Sequence, residues 1–173
     1  ALDPNYRSRL MSLPLVEREQ LLGGNWKIRA QAGTRFNRAW FKLAEEAPAR
    51  FVKVVRYFDK AGADETNKAG DFSAGCLMGY DGTRWWVVDV VRGKWSPFQR
   101  NEVILQTAQL DKARYPNVEL WIEQEPGNGG KESAMISRKE LAAFAPRIET
   151  PRINKVARSS GLSAQMEGGN VVL

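Results

Sequence analysis

The sequence predicts an α/β domain with a mixed sheet, in which three antiparallel strands are followed by α/β alternation with helices on both faces. Two observations favour this class. Three β-rich segments between residues 51 and 93 are joined by turn-forming stretches, as in an antiparallel meander. From residue 96 onward, amphipathic helical segments alternate with short apolar segments, which is typical of strands that pair through helical crossovers.

The meander is predicted from β-branched and aromatic runs that end at turn signals. FVKVVRYF (51–58) is the first strand. DFSAGCLMGYDG (71–82) is the second, and it closes on an Asp-Gly pair that is a strong hairpin signal. RWWVVDVVRG (84–93) follows at once as the third strand. The short connection between the second and third strands predicts antiparallel pairing.

The second half of the chain predicts alternating helices and strands. The segment 96–115 has helical spacing of apolar residues, with Ser96 as its N-cap and Pro97 in its first turn. The fourth strand, 117–124, follows this helical crossover, so we expect it to lie parallel to the first strand. The remaining predicted elements are a helix, a strand, a helix and the start of a strand, at 132–145, 146–150, 153–169 and 170–173.

Residues 1–48 have a different pattern from the rest of the chain. One short helix is predicted within 11–22, and the glycine pair Gly23-Gly24 should end it. A second helix-like segment is predicted at 36–47. Because neither segment offers a core of its own, we predict a linker or docking segment at 1–48 and one domain over 49–173.

The composition limits the chemistry that this chain can perform. Its 173 residues carry a formal net charge of +6, which favours a polyanionic partner such as nucleic acid. The sequence contains no histidine, which excludes Ser-His and Cys-His nucleophilic chemistry and the usual zinc sites. No apolar run approaches the ~20 residues that span a bilayer, and the single cysteine fits a reducing compartment. We therefore expect a cytoplasmic chain without a membrane partner, whose chemistry uses carboxylates, lysine, hydroxyls or bound hard metals.

Two carboxylates lie at predicted strand ends. Asp59 ends the first strand, and Glu123 lies near the end of the fourth. If these strands are parallel neighbours, both acids meet at the carboxyl edge of the sheet, where open α/β sheets place their sites. Such a pair favours a cation between its members, and Mg²⁺ or Mn²⁺ prefers oxygen ligands. Asp71, at the start of the second strand, is a candidate auxiliary ligand. The alternative is that each acid caps a strand or pairs with a surface lysine.

Two other segments suggest phosphate contacts. LWIEQEPGNGGKE (120–132) contains a glycine-lysine pair, but Glu125 and Glu132 stand where a nucleotide-binding loop requires glycine and a hydroxyl, so we reject that interpretation. Lys131 is instead predicted to lie near DNA phosphates. The C-terminal segment is rich in basic residues, which either contact DNA or form a solvated helix face. Its candidate DNA-binding residues are Arg152, Lys155 and Arg158.

Three sequence blocks, in this order, resemble the C-terminal nuclease domain of phage terminase large subunits. They begin with RYFDKAG and end with VVRGKWSP (56–97), continue with LWIEQEPGNGGK (120–131), and close with NKVARSSGLSAQMEGGNVVL (154–173). MSLPLVEREQLLGGNW (11–26) is also similar to the segment that joins the terminase ATPase domain to its nuclease. The resemblance covers most of the chain.

The resemblance implies a ribonuclease H-like fold and an Mg²⁺- or Mn²⁺-dependent endonuclease that cuts concatemeric viral DNA by a two-metal mechanism. It implies that Asp59 and Glu123 are catalytic acids that bind the two ions, and that Lys155 and Arg158 lie near DNA. The implied partners are double-stranded DNA, the terminase ATPase domain, the small terminase subunit and the portal. The implied location is the cytoplasm of the bacterial host.

The chain departs from this family in two respects. The nucleotide-binding motifs of the ATPase domain are absent from the sequence, and the last acidic motif of the family would follow Leu173. We therefore expect a truncated nuclease domain that lacks the third acidic ligand. The second interpretation is a non-catalytic DNA-binding or docking module. Metal-dependent cleavage by the 173-residue chain would distinguish the two.

Overall fold

The structure, a computed structural model, describes residues 4–11, 13, 15–24, 36–61, 71–124 and 128–173. No helix within these ranges is both long enough and apolar enough to cross a membrane. In chain order the elements are α1 (Pro4–Met11), α2 (Leu15–Gly23), β1 (Lys53–Asp59), β2 (Ser73–Tyr80), β3 (Trp85–Gly93), α3 (Pro97–Arg114), β4 (Glu119–Glu123), α4 (Asn128–Glu140), β5 (Arg147–Glu149), α5 (Lys155–Glu167) and β6 (Val171–Val172).

These elements belong to two compact units. One unit comprises residues 1–45 together with 153–173, and the other comprises residues 46–152. β1 to β5, α3 and α4 all lie within the second unit. The predicted role of residues 1–48 as a linker or docking segment, ahead of a domain over 49–173, stays a prediction.

The second unit is built on a mixed sheet. Its strands run in the order β5-β4-β1-β2-β3. The pairs β1–β2 and β2–β3 are antiparallel, whereas β4 is parallel to both β1 and β5. The predicted meander and the predicted parallel pairing of the fourth strand with the first are therefore confirmed.

Two predicted local signals are confirmed. In the β2–β3 turn, the Asp81 carboxylate accepts hydrogen bonds from the backbone N–H groups of Thr83 and Arg84 at 2.7 Å, and Gly82 has a φ of 104°. The hydrogen bond from the Arg84 backbone is the largest cause that lowers the pKa of Asp81, followed by those from the Trp86 side chain and the Thr83 backbone. At the start of α3, the Ser96 hydroxyl accepts from the backbone N–H of Gln99, whose side chain accepts from the Ser96 N–H. This reciprocal cap satisfies donors that the first helical turn leaves unpaired.

The two-residue period of β1 divides its side chains between the two faces of the sheet. Val54, Arg56 and Phe58 are buried, and they alternate with partly buried residues. Phe58 packs with Ile104 of α3 and with Ile122 of β4 in the main apolar core. The remaining β1 side chains, which include Asp59, therefore project from the opposite face.

One prediction for the N-terminal part of the chain is wrong. Residues 36–47 do not form a helix, because only a three-residue 3-10 turn occurs, at Arg38–Trp40. Lys42 instead forms a parallel bridge with Val172, and the backbone N–H of Leu173 donates to the Lys42 carbonyl at 2.8 Å. This extended pairing takes the backbone hydrogen bonds that a helix would need.

Candidate active site

The carboxyl ends of β1, β4 and β5 each carry one acid. In the parallel ladder Phe58 pairs with Ile122, so the next residues along the two strands, Asp59 and Glu123, are side by side. Glu123 pairs in turn with Glu149 of β5. We call Asp59, Glu123 and Glu149 the acid row. The structure thus brings both sequence-predicted acids to one edge of the sheet and adds a third acid beside them.

The acid row lies on the more open face of the sheet. Asp59 and Glu123 are partly buried, and Glu149 is exposed. Residues that pair in register lie on the same face of a sheet, so the three side chains share the face opposite Phe58 and Ile122. Each of these three carboxylates therefore keeps part of its surface accessible to solvent.

Tyr57 belongs to the same face and contacts the acid row directly. Its hydroxyl donates a hydrogen bond to Glu123 Oε2 at 3.1 Å. Burial raises the pKa of Tyr57, and the negative charges of Glu123 and Glu149 raise it further. The phenol therefore stays protonated at neutral pH and serves as a donor that orients the Glu123 carboxylate.

The chain immediately after Asp59 is fixed by two polar contacts to helices. The Lys60 side chain, which is buried, donates to the Ser133 hydroxyl of α4 at 2.7 Å. Arg100 of α3 donates through Nη1 to the Ala61 carbonyl at 2.7 Å. These contacts hold the end of β1, and hence Asp59, in a defined position relative to both helices.

The other sequence-predicted site residues lie outside the acid row. Asp71 is exposed, two residues before β2. Arg152 is exposed and lies between β5 and α5. Lys155 and Arg158 lie on α5, in the compact unit that does not contain the acid row. Lys131 is in the first turns of α4, and its side chain is outside the described part of the chain.

The acid row offers the right donor atoms for a hard divalent cation. Carboxylate oxygens suit Mg²⁺ or Mn²⁺, and neither ion requires the histidine that this sequence lacks. Asp59 and Glu123 are the residues that would hold such an ion. Among the described residues, however, no three acidic, histidine or cysteine side chains are grouped closely enough to bind a metal. The donor atoms of Asp59 and Glu123 therefore fit the chemistry of the ion, and they offer it two carboxylates.

Tyr57 and Glu149 were missed by the sequence analysis, although each left a signal. Tyr57 precedes Asp59 by two residues, which places it on the same face of a strand. Glu149 ends a strand that follows β4 through a helix, so parallel pairing brings it to the edge that carries Glu123. Both inferences require the register of the sheet, which the sequence alone does not provide.

The fold of this chain is similar to that of the large terminase from a thermophilic bacteriophage. One solved structure of that protein matches with a TM-score of 0.63 at 9% identity, and the match covers 99% of this chain and 41% of the terminase chain. The same terminase in complex with ADP matches with a TM-score of 0.63 at 11% identity, covering 99% of this chain and 40% of that chain. This likeness supports the predicted ribonuclease H-like α/β fold, and the mixed sheet agrees with it. This chain spans about two fifths of the length of those terminases.

No family model and no curated protein matches the sequence.

Proposed function

We propose that this chain is the nuclease part of a phage large terminase, which hydrolyses phosphodiesters of concatemeric double-stranded DNA with Mg²⁺ or Mn²⁺. The observation that carries the proposal is the adjacency of Asp59 and Glu123 at the carboxyl edge of two parallel strands. The terminase-like fold supports it, because this edge is where open α/β sheets place their sites.

In the proposed reaction, Asp59 and Glu123 would hold the metal through carboxylate oxygens on the more open face of the sheet. When bound, two divalent ions would supply an activated water and stabilise the leaving oxygen of the phosphodiester. Tyr57 restricts the Glu123 carboxylate through its 3.1 Å hydrogen bond. Glu149 increases the negative charge at the edge, which favours cation binding.

The proposal includes partners and a location that the fold alone does not provide. Double-stranded DNA is the substrate, and the net charge of +6 supports attraction to it. Lys131, Arg152, Lys155 and Arg158 are the proposed DNA contacts from the sequence analysis. The terminase ATPase domain, the small terminase subunit and the portal are the proposed protein partners, and the bacterial host cytoplasm is the proposed location.

One observation favours a second candidate function, a non-catalytic DNA-binding or docking module. Within the described ranges the acid row does not form a cluster of three metal-binding groups. If the acid row has too few ligands to hold a metal, the chain would bind DNA through its basic residues without cutting it. The two candidates differ in whether DNA is cleaved when a divalent metal is added.

A plasmid-nicking assay of the 173-residue chain tests the proposal. We expect nicking of supercoiled DNA in Mn²⁺, no nicking in EDTA, and a loss to background in Asp59→Asn and in Glu123→Gln, because each variant removes one ligand charge. Glu119→Gln is the matched control, since Glu119 lies on the same strand and the same face, four residues from Glu123. It should nick like the parent chain. Undiminished nicking by Asp59→Asn would refute the assignment, and DNA binding without any cleavage would favour the docking module.

A further inference from the structure

A cationic side chain lies in register with Asp59, two strands away. In the antiparallel ladders Asp59 pairs with Ala74, and Ala74 pairs with Arg92 of β3. Residues that are paired in this way project from the same face of the sheet. Since neighbouring strands are about 4.8 Å apart, the backbone of Arg92 lies on the order of 10 Å from that of Asp59 along the same edge. The intervening side chain, Ala74, is a single methyl group, so no bulky side chain stands on β2 between Asp59 and Arg92.

Arg92 belongs to a small surface cluster with an aromatic centre. Its Cζ atom lies 3.7 Å from the centroid of the Phe72 ring, and Lys94 Nζ lies 5.0 Å from the same centroid. Phe72 is 43% exposed, and Arg92 is also exposed. We call Phe72, Arg92 and Lys94 the cationic patch. An exposed ring contributes little to the core, but stacking on it restricts the guanidinium and lowers the entropy that Arg92 would lose on binding an anion.

We propose that the cationic patch binds the sugar-phosphate backbone of double-stranded DNA beside the phosphodiester that the acid row receives. This inference rests on the proposed nuclease function and adds a substrate-binding surface to it. A guanidinium suits phosphate oxygens because its planar donors can engage two of them at once, and the Lys94 ammonium adds a second positive charge. Positive charge at this point also offsets the repulsion between DNA and the acid row.

A duplex fits the dimensions of the patch, and the contacts of Phe72 favour it over a single strand. The backbones of Arg92 and Asp59 are about 10 Å apart, less than the ~12 Å width of the major groove, so phosphates of one duplex can reach both. Proteins that hold single strands stack bases on open aromatic faces. In the cationic patch the face of Phe72 is covered by Arg92 at 3.7 Å, which favours phosphate contacts over base stacking.

The test is binding of a fluorescent duplex to the full chain, measured by anisotropy in EDTA across a series of salt concentrations. Arg92→Gln removes the charge and keeps a planar amide near Phe72. We expect its affinity to fall about 5- to 10-fold, and the slope of log K against log salt to become shallower by about 0.9, as for the loss of one phosphate contact. Phe72→Leu keeps both charges, so it should weaken binding while the slope stays unchanged.

Arg84→Ala is the matched control, because Arg84 is exposed, immediately precedes β3 and lies at the opposite edge of the sheet. It should bind the duplex like the parent chain. The inference is overturned if Arg92→Gln retains the parental affinity and salt slope, if Arg84→Ala loses as much as Arg92→Gln, or if the parent chain does not bind the duplex. Far-ultraviolet circular dichroism confirms that each variant is folded. The binding assay contains no divalent metal, so a negative result in it concerns the cationic patch and not metal-dependent cleavage. A negative nicking assay would instead refute the nuclease function.

Discussion

Tyr57 and Asp59 project from one face of β1, while Arg56 and Phe58 project from the other. This alternation lets one short segment serve both the core and the candidate site. Arg56 and Phe58 are 2% and 1% exposed, so the strand cannot shift by one residue without burying Asp59 and exposing the core side chains. The position of the Asp59 carboxylate is therefore determined by the packing of its neighbours.

Tyr57→Phe should weaken the candidate metal site and leave the fold intact. The variant removes only the hydroxyl that donates to Glu123, so the free energy of unfolding should fall by about 1 kcal/mol. Because a group that orients a ligand typically changes metal affinity 10- to 100-fold, we expect Mn²⁺ affinity to fall about 10-fold. Calorimetric titration with Mn²⁺ measures it.

Tyr80→Phe is the control for this substitution. The Tyr80 hydroxyl donates to the Gly82 carbonyl in the β2–β3 turn, away from the acid row. An equal loss of Mn²⁺ affinity in both variants would show that the Tyr57 hydroxyl has no specific role at Glu123.

At the residue scale, the sequence was sufficient to select Asp59 and Glu123, since each ends a run with clear strand character. It was not sufficient to select Glu149, because a three-residue strand carries too little pattern to reveal its register. Arg92 was overlooked for a related reason. Its proximity to Asp59 depends on two antiparallel ladders, and only the assembled sheet shows that Ala74 pairs with both residues.

At the element scale, a buried ion network joins β1 to α3 and β3. Arg56 donates through Nε to Asp111 of α3 and through Nη2 to Asp89 of β3, both at 2.7 Å. Burial opposes the charge of the guanidinium, but the hydrogen bonds to Asp111 and Asp89 outweigh it and raise the pKa of Arg56. The Asp111 side chain is only 8% exposed, whereas that of Asp89 is 46% exposed. Asp111 is therefore the partner that compensates the buried charge.

Asp111→Ala should strongly destabilise the chain, because it leaves the Arg56 guanidinium buried with a half-exposed partner. Breaking a buried ion pair in this way costs about 3–5 kcal/mol, and we expect a loss of that size in urea unfolding. The double variant Arg56→Met/Asp111→Ala removes the uncompensated charge as well. It should be more stable than Asp111→Ala alone. The single variant Arg56→Met completes the comparison. If the losses of unfolding free energy in Asp111→Ala and Arg56→Met simply add in the double variant, the network does not couple β1 to α3.

Elements with strong local signals were predicted best. The β2–β3 turn depends on Asp81-Gly82, and the start of α3 depends on Ser96 and Gln99, all of which act within a few residues. The helix predicted at 36–47 failed because a distant segment, β6, pairs with the Lys42 backbone. The helix α1 was also missed. Its eight residues, PNYRSRLM, form only about two turns, which is too short a stretch for a periodicity argument.

At the scale of the whole molecule, the chain resembles about two fifths of a phage large terminase in fold. The order of strands and helices and the mixed sheet, which were predicted from the sequence, agree with the structure and with its terminase-like fold. The sequence blocks around Asp59 and Glu123 suggested the resemblance to terminases because their order along the chain is more specific than any one of them. The division of the chain into compact units at 45/46 and 152/153 could not be predicted, since the first unit combines segments from both ends of the sequence.

Binding of Mn²⁺ by the whole chain tests the central claim most directly, because the proposed chemistry requires Asp59 and Glu123 to hold a divalent metal. Electron paramagnetic resonance of free Mn²⁺ during a titration gives the affinity without relying on cleavage. We predict saturable binding by the parent chain and by Glu119→Gln, and a much larger loss of affinity in the double variant Asp59→Asn/Glu123→Gln than in Tyr57→Phe, because it removes both proposed ligand charges. Equal Mn²⁺ affinity in the parent chain and the double variant, or no binding by the parent chain, would contradict the account.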